Sequence, residues 1–467
     1  MNKLKAFFVA VGMWFKKVGI AIGKWFKNWF VKVDDKEIIP VRIGKWFKSL
    51  FVATEEKEAG FVTLYKKDGT KSVIASLISI LAGLLLGFII MLILAIVNKK
   101  GIGEAFTGLR ILFGGAFFTG SSSNITFGYN SNSLGSMVLR ATPLIMTGLS
   151  VAIAFKTGLF NIGAPGQYLM GTMASLLVAL GIPVGSSFGG FCVWLLAVLA
   201  GFVAGALWGA IPGLFKALLG VNEVIVCIMT NWIAANLVSW VFSASGLQNV
   251  SEGKTAYIMP TRYNNVTNPR LGMDLLFPDS WADGTFLIAI VIAVVVFIML
   301  NKTTFGFELK ACGSNRNSAK YVGMNDKRNI VLSMAIAGGL AALGGAFYFL
   351  NGKTEFAWDT SRSLPDVGFN GIPVALLASS NPVGVIFSAV FMAYLNIGGS
   401  KLTMVTSFNE YLASIIVAVI VYFAGFSKLI HEMLSSVGKK KKDKDGTNTQ
   451  QQEPQSTATQ TSVEEAK

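Results

Sequence analysis

The stretch "GFELKACGSNRNSAKYVGMNDKRN", Gly306 to Asn329, interrupts a chain otherwise dominated by Leu, Ile, Val, Ala and Phe. It places Lys310, Arg316, Lys320, Lys327 and Arg328 between two long apolar runs. Three readings are open: a solvated loop, a catalytic loop, or a surface that touches another protein. The choice turns on what the flanking runs are and on which side of them the stretch lies.

The flanking runs belong to a chain of 467 residues that is 53% hydrophobic and only 14% charged, with a mean hydropathy of +0.58. A soluble domain of this length needs a more charged surface. Several runs reach the roughly 20 apolar residues that cross a hydrocarbon core of about 30 Å. The alternating strands of a barrel are missing. The fold class is therefore all-α, a polytopic membrane protein with about ten spans. The apolar segments are Val73–Val97, Gly135–Phe155, Gly166–Leu180, Gly190–Ala210, Val224–Phe242, Thr285–Leu300, Ile330–Leu350, Val367–Ala378, Val383–Leu395 and Leu412–Phe426. The third, eighth and ninth are too short for a full crossing, as broken or re-entrant helices are.

Charge then orients the spans. The net charge of +15 is concentrated in the first seventy residues, in the opening stretch and in "KKKKDK" (Lys439–Lys444). That is the pattern of membrane-flanking cytoplasmic segments, so no nucleic-acid partner is expected. Six spans separate the N-terminus from Asn301–Asn329, and four separate that loop from the tail. Both numbers are even, which puts all three basic segments on the cytoplasmic side. The connections Asn98–Leu134, Ser243–Gly284 and Asn351–Pro365 then lie outside.

The chain divides into 1–72, 73–426 and 427–467. In the first part Phe7, Val11, Trp14, Val18, Ile22, Trp25 and Trp29 share one helical face, with Lys5, Lys16, Lys17, Lys24 and Lys27 opposite. "WFKK", "WFKN" and "WFKS" recur at Trp14, Trp25 and Trp46. A secretory signal is disfavoured, because the apolar run stops at Lys16 and no small-residue cleavage site follows. A helix lying among the headgroups of membrane lipid fits better. The last part, from about Asp443, has the polar composition of disorder.

Catalytic chemistry finds little footing. "NGKT", Asn351 to Thr354, approaches a phosphate-binding loop, but Phe347 stands where its first glycine belongs. One histidine, His431, excludes a His-based triad, and no Cys/His metal cluster is present. Cys192 and Cys227 fall in apolar spans and Cys312 in the basic loop, which makes no disulfide framework. Ion-coupled transporters place carboxylates or cations within their spans. Here Arg140, Glu223 and Glu410 lie near span ends, and intramembrane polarity is uncharged: Asn161, Gln167, Asn231 and Asn236. These four read either as interhelical hydrogen bonds or as the lining of a path for a polar, uncharged solute. In "KTGLFNIGAPGQYLMG", Lys156 to Gly171, four glycines and Pro165 break helix-forming sequence. A tight turn and a solute-facing element are equally good readings.

"ATPLIMTGLSVAIAFKTGLFNIGAPGQ" (Ala141–Gln167), "NEVIVCIMTNWIAANLV" (Asn222–Val238), the opening stretch and "GFNGIPVALLASSNPVG" (Gly368–Gly384) resemble the permease subunits of ABC importers. The family is that of ribose and branched-chain amino-acid permeases, and the nucleoside branch served by a basic-membrane-protein-type lipoprotein is the most similar. The likeness runs from about Val73 to Phe426. Ribose-type relatives carry Asp-Leu-Ser in place of "NIGAPGQ", so a simple sugar is the less favoured solute and an ion-coupled carrier the rival class. Lys310, Asn370 and "ASSNP" depart from commoner family residues.

The resemblance implies a non-enzymatic subunit without a cofactor of its own. ATP and Mg are used by a cytoplasmic ATP-binding subunit. A second, homologous permease and an extracellular solute-binding lipoprotein complete the complex, in a bacterial cell membrane. It also gives the opening stretch a task, docking on the ATPase through Gly313, Asn315, Arg316, Ala319, Lys320, Tyr321, Val322 and Gly323.

Overall fold

The computed structural model describes residues 68–121, 124–249, 254–255, 266–357, 363–409 and 411–426. The amphipathic segment before Asp68, the tail beyond Phe426, His431 and Glu410 lie outside them. Among the described residues the chain is helical, apart from a two-residue hairpin, Gln248–Asn249 against Lys254–Thr255.

Every apolar segment read from the sequence coincides with a helix. They are α1 (Asp68–Val97), α3 (Ser131–Lys156), α4 (Ala164–Gly181), α5 (Ser187–Leu219), α6 (Glu223–Ser245), α8 (Thr285–Lys302), α11 (Asp326–Phe349), α12 (Asp366–Leu377), α13 (Pro382–Val405) and α14 (Tyr411–Gly425). Four shorter helices join them: α2 (Ile102–Gly114), α7 (Met273–Leu276), α9 (Thr304–Ser314) and α10 (Arg316–Tyr321). Seven of the described helices, α1, α3, α5, α6, α8, α11 and α13, are long and apolar enough to cross a membrane. Boundaries are set by polar caps. Asn130, Ser186, Asn222, Asn325 and Asn381 each accept a backbone N–H from the first turn of α3, α5, α6, α11 and α13.

Side-to-side contacts sort the helix ends into two groups. At one end the turn after α3 packs on α9 through Gly158 and Gly313. There Asn329 of α11 donates to Glu308 of α9 at 3.0 Å, and Gly213, late in α5, meets Val331 of α11. At the other end Asn268 N–H donates to the Leu350 carbonyl at 2.8 Å, Tyr129 to the Leu276 carbonyl, and Ser407 N–H to Glu104 at 2.8 Å. These contacts group the ends of α3, α9 and α11 on one side of the bundle and the connections around α2 and α7 on the other. Seven of the described helices, not ten, meet the length and hydropathy of a span.

Two expectations change. The ninth segment is not short: α13 continues from Leu395 to Val405 as a 24-residue helix. Its glycines do not end it; Gly398 seats against the backbone of Leu112 in α2, where a Cβ would overlap the Leu112 carbonyl oxygen. The connection Asn98–Leu134 is not plain loop, because α2 and a 3-10 turn (Gly115–Phe117) fill it and pack on α13.

The centre of the bundle is a glycine seam. Gly201, Gly205, Gly209 and Gly213 recur every fourth residue on α5 and face α11. A Cβ at Gly205 would overlap Ala342, and one at Gly338 would overlap the Gly205 carbonyl oxygen. The two backbones therefore touch, which maximises dispersion contact where lipid offers no hydrophobic drive. Gly205→Leu and Gly338→Leu are expected to destabilise by about 2 kcal/mol or more through overpacking. Gly181→Ala, which meets open space, leaves the detergent-solubilised melting temperature unchanged.

A polar clasp closes the outer-loop end. Asn268 donates to Asp283 at 2.8 Å and to the Phe347 carbonyl at 2.7 Å, and accepts from the Trp194 indole at 2.9 Å. Thr285 N–H also donates to Asp283, at 3.0 Å. Burial raises the Asp283 carboxyl above the usual aspartate range, opposed by its bonds from Thr285 and Asn268 and by the nearby Arg270. A raised folded-state value means the fold takes up a proton more readily than the unfolded chain. Its stability should therefore rise as pH falls through that raised value, and level off below the ordinary one. Melting curves across acidic pH should show this slope in the parent protein and lose it in Asp283→Asn.

Candidate functional site

Helix α3 ends at Lys156, and α4 starts only at Ala164. The residues between are non-helical, and all but the exposed Gly158 are buried or half-buried. They bond Ser150, about 9 Å back along α3, and Asn231, about 12 Å along α6 from its start, at ~1.5 Å per residue. Backbone groups freed there have no water to turn to.

One of the four amides named above, Asn231, meets this need, and two more, Asn161 and Gln167, brace the segment through side-chain bonds. Asn231 accepts the Gly166 N–H at 2.9 Å and donates to the Ile162 carbonyl at 2.9 Å. Asn161 and Gln167 form a reciprocal amide pair at 2.8 and 3.0 Å, and Asn161 also donates to Ser150 at 3.0 Å. All three are buried, at 0%, 1% and 1% exposure for Asn161, Gln167 and Asn231. Their hydrogen-bonding capacity is turned inward, onto the chain itself.

Asn236 stands apart. It is exposed on α6, about 20 Å along the helix, with its amide donating to the Trp232 carbonyl at 2.8 Å. Trp232 and Trp240 precede and follow it by one helical turn, and are 51% and 67% exposed on the same face. With Met229 and Ile233 they line an open groove. The exposed positions of α1 and α8 are purely aliphatic by comparison: Leu81, Leu85 and Ile89, and Val291, Val295 and Ile298. An amide in hydrocarbon is costly, so this face of α6 is the wrong surface for lipid. Arg140 points the same way. The sequence places it near a span end, but it lies about 13 Å into α3, is exposed, and has no ion-pair partner among the described residues. Trp232 and Trp240 were legible as flanks of Asn236 at a spacing of four.

"NGKT" forms an Asx turn. Asn351 accepts the N–H groups of Lys353 and Thr354 at 2.7 and 2.8 Å, and Lys353 reaches the Ser280 carbonyl at 3.5 Å.

The opening stretch is compact rather than loose. Asn315 caps α10 by accepting the Ser318 N–H at 3.0 Å. Gly323, at φ 85°, closes the helix with a Met324 N–H to Ala319 carbonyl bond. Arg316 is committed internally, its guanidinium 2.7 Å from Asp326 of α11. Ala319 is buried, so its methyl is turned into the chain instead of outward. Gly313 packs against the Lys156 carbonyl and Gly158. What remains outward is Lys320, with Tyr321 at 94% and Val322 at 70% exposure. Two apolar side chains thus stand exposed at the tip of a basic excursion.

Architecture and surface together define a polytopic helical membrane protein of the transporter type. Residues 133–425 match the family described as branched-chain amino acid transport system / permease component. The chain belongs to that family and is a membrane permease component. It is 34% identical to the nucleoside ABC transporter permease protein NupB of Lactococcus lactis, covering 70% of this chain and 92% of that one. It is 33% identical to the guanosine ABC transporter permease protein NupP of Bacillus subtilis, over 78% and 96%. To the glucose ABC transporter permease protein TsgB13 of Haloferax volcanii it is 32% identical, over 62% and 75%.

The geometry separates the four amides experimentally. Asn231→Ala strands the Gly166 N–H and the Ile162 carbonyl, and is expected to cost about 1–3 kcal/mol for each buried group left unpaired. Asn236→Ala should leave the melting temperature within 1 °C or so of the parent, as exposed substitutions do. Thermal unfolding of both variants in the same detergent checks the contrast.

Proposed function

We propose that the chain is the permease subunit of an ATP-driven importer and forms half of a translocation path for nucleosides. The observation that carries this reading is the 34% identity to NupB across 92% of that permease's length. The exposed face of α6 supports it. A nucleobase offers a flat π-face for Trp232 and Trp240 and a hydrogen-bonding edge for Asn236, and an uncharged solute needs no carboxylate in the path. Asn161, Gln167 and Asn231 act one step back, by holding the start of α4 against α6. The likeness to TsgB13 favours a sugar as the second reading.

In this scheme ATP and Mg belong to a separate cytoplasmic subunit, which takes the Tyr321–Val322 tip into a pocket. A second, homologous permease covers the exposed face of α6, and an external lipoprotein delivers solute at the opposite end. Both termini are cytoplasmic. ATPase closure would open the solute site to each side in turn.

Purification in mild detergent from the native host should bring down an ATP-binding subunit and a second permease. Isolation alone, with uptake driven by an ion gradient, would overturn the proposal. The double substitution Tyr321→Asp, Val322→Asp should lower copurified ATPase and nucleoside uptake at least tenfold while membrane insertion is unchanged. Uptake of labelled nucleoside competed by glucose separates the two solute readings.

A further inference from the structure

At the end of the bundle that carries the basic excursion, α1, the α12–α13 turn and the last turn of α3 enclose a groove of roughly 710 Å³. Lys156 stands at its polar mouth with Ser379 and Asn381, and Leu77, Phe387 and Phe391 form apolar walls. Leu77 and Phe387 are 58% and 73% exposed, so the groove opens sideways, toward the acyl chains of a bilayer.

The mouth has an unbalanced charge. Lys156 has no carboxylate or hydrogen-bond partner among the described residues. Its charged neighbour is Lys310, which repels it. None of the described residues lining the groove is acidic. Helix α13 begins at the same place, at Pro382, and its N-terminal dipole adds positive potential. A half-buried cation beside a second cation, over an apolar slot open to lipid, calls for an anion attached to a hydrocarbon chain.

We propose that this groove binds an anionic phospholipid. The phosphate sits between Lys156 and the first turn of α13, and an acyl chain runs along Leu77, Phe387 and Phe391. Charge selects against the other occupant within reach. Residues 1–67 carry a net positive charge, although Glu55, Glu56 and Glu58 interrupt their lysines, and the groove mouth is itself positive. A zwitterionic lipid would fill the walls equally well, yet bring its own cation to the two lysines.

The test is native mass spectrometry of the full-length protein released from nanodiscs holding equal amounts of phosphatidylglycerol and phosphatidylcholine. Phosphatidylglycerol should be retained in preference, and Lys156→Ala should weaken its retention about 5-fold, the effect of one lysine at a lipid surface. Lys156→Arg should keep the preference, as should Lys302→Ala, which removes an exposed cation at the same end outside the groove. Val383→Glu is a second probe: it puts a carboxylate in the first turn of α13, where a helix tolerates it, and should also abolish the preference. Equal retention of the two lipids overturns the proposal, as does a preference that survives both Lys156→Ala and Val383→Glu. So does a photo-crosslinker at position 387 that captures residues 1–67 instead of lipid, or displacement of bound phosphatidylglycerol by millimolar inorganic phosphate alone.

Discussion

A backbone that leaves the helix inside hydrocarbon must find every hydrogen bond within the protein. The segment from Thr157 to Gly163 meets part of this demand with side chains from two helices, and much of the fold follows from how. Asn231 reaches from α6 to hold one N–H and one carbonyl of that segment, while the Asn161–Gln167 pair closes its loop onto α3 through Ser150. Helix α4 is thereby forced to begin at depth. Gly368 of α12 lies directly against Pro165, so the first turn of α12 is drawn to the same level. The first turns of α4 (18 residues) and α12 (12 residues) meet there, with Asn370 half-buried and Asp366 exposed.

The glycine seam between α5 and α11 answers a different requirement. Lipid tails are as apolar as leucine, so helices associate through close packing rather than through expulsion of water. Removing Cβ atoms at Gly205, Gly209 and Gly338 brings two long spans into backbone contact, and side chains cannot slide past one another there. Helix α6 is attached to α4 through the Asn231 amide and the close approach of Gly166 to Ala234, to α5 through the Lys216–Glu223 ion pair, and to the apolar core through Ala235, Val238 and Phe242.

Much of the architecture was legible in the sequence because hydrocarbon leaves few alternatives. Long apolar runs read as helices, and all ten of them are helices in the structure, seven of span length and hydropathy. Legibility failed where glycine has two meanings. Gly398 and Gly399 read as a break at Leu395, whereas α13 runs through them because α2 packs against Gly398. It failed also for the amides. Nothing in composition distinguishes Asn231, which bonds the chain's own backbone, from Asn236, which faces outward one and a half turns later. That difference is a helical phase relative to α4, and phase is fixed only when the helices are packed. The same holds in the polar excursion, where Ala319 and Tyr321 are two residues apart and face opposite ways.

The excursion and the α6 face lie at different levels of the bundle, and the contacts able to connect them are few. Arg316 and Glu308 tie α10 and α9 to the start of α11 through Asp326 and Asn329. Gly313 ties α9 to the turn that leads into the irregular segment. A displacement at Tyr321 therefore meets two structures: α11, which the glycine seam locks to α5, and the segment before α4, which is held to α6 by Asn231. The first resists bending because its backbones touch. The second is a set of hydrogen bonds spanning two helices, and it is the softer of the two. In the proposed scheme, movement imposed at the tip passes through this segment toward α6, the helix whose outward face carries Trp232, Asn236 and Trp240.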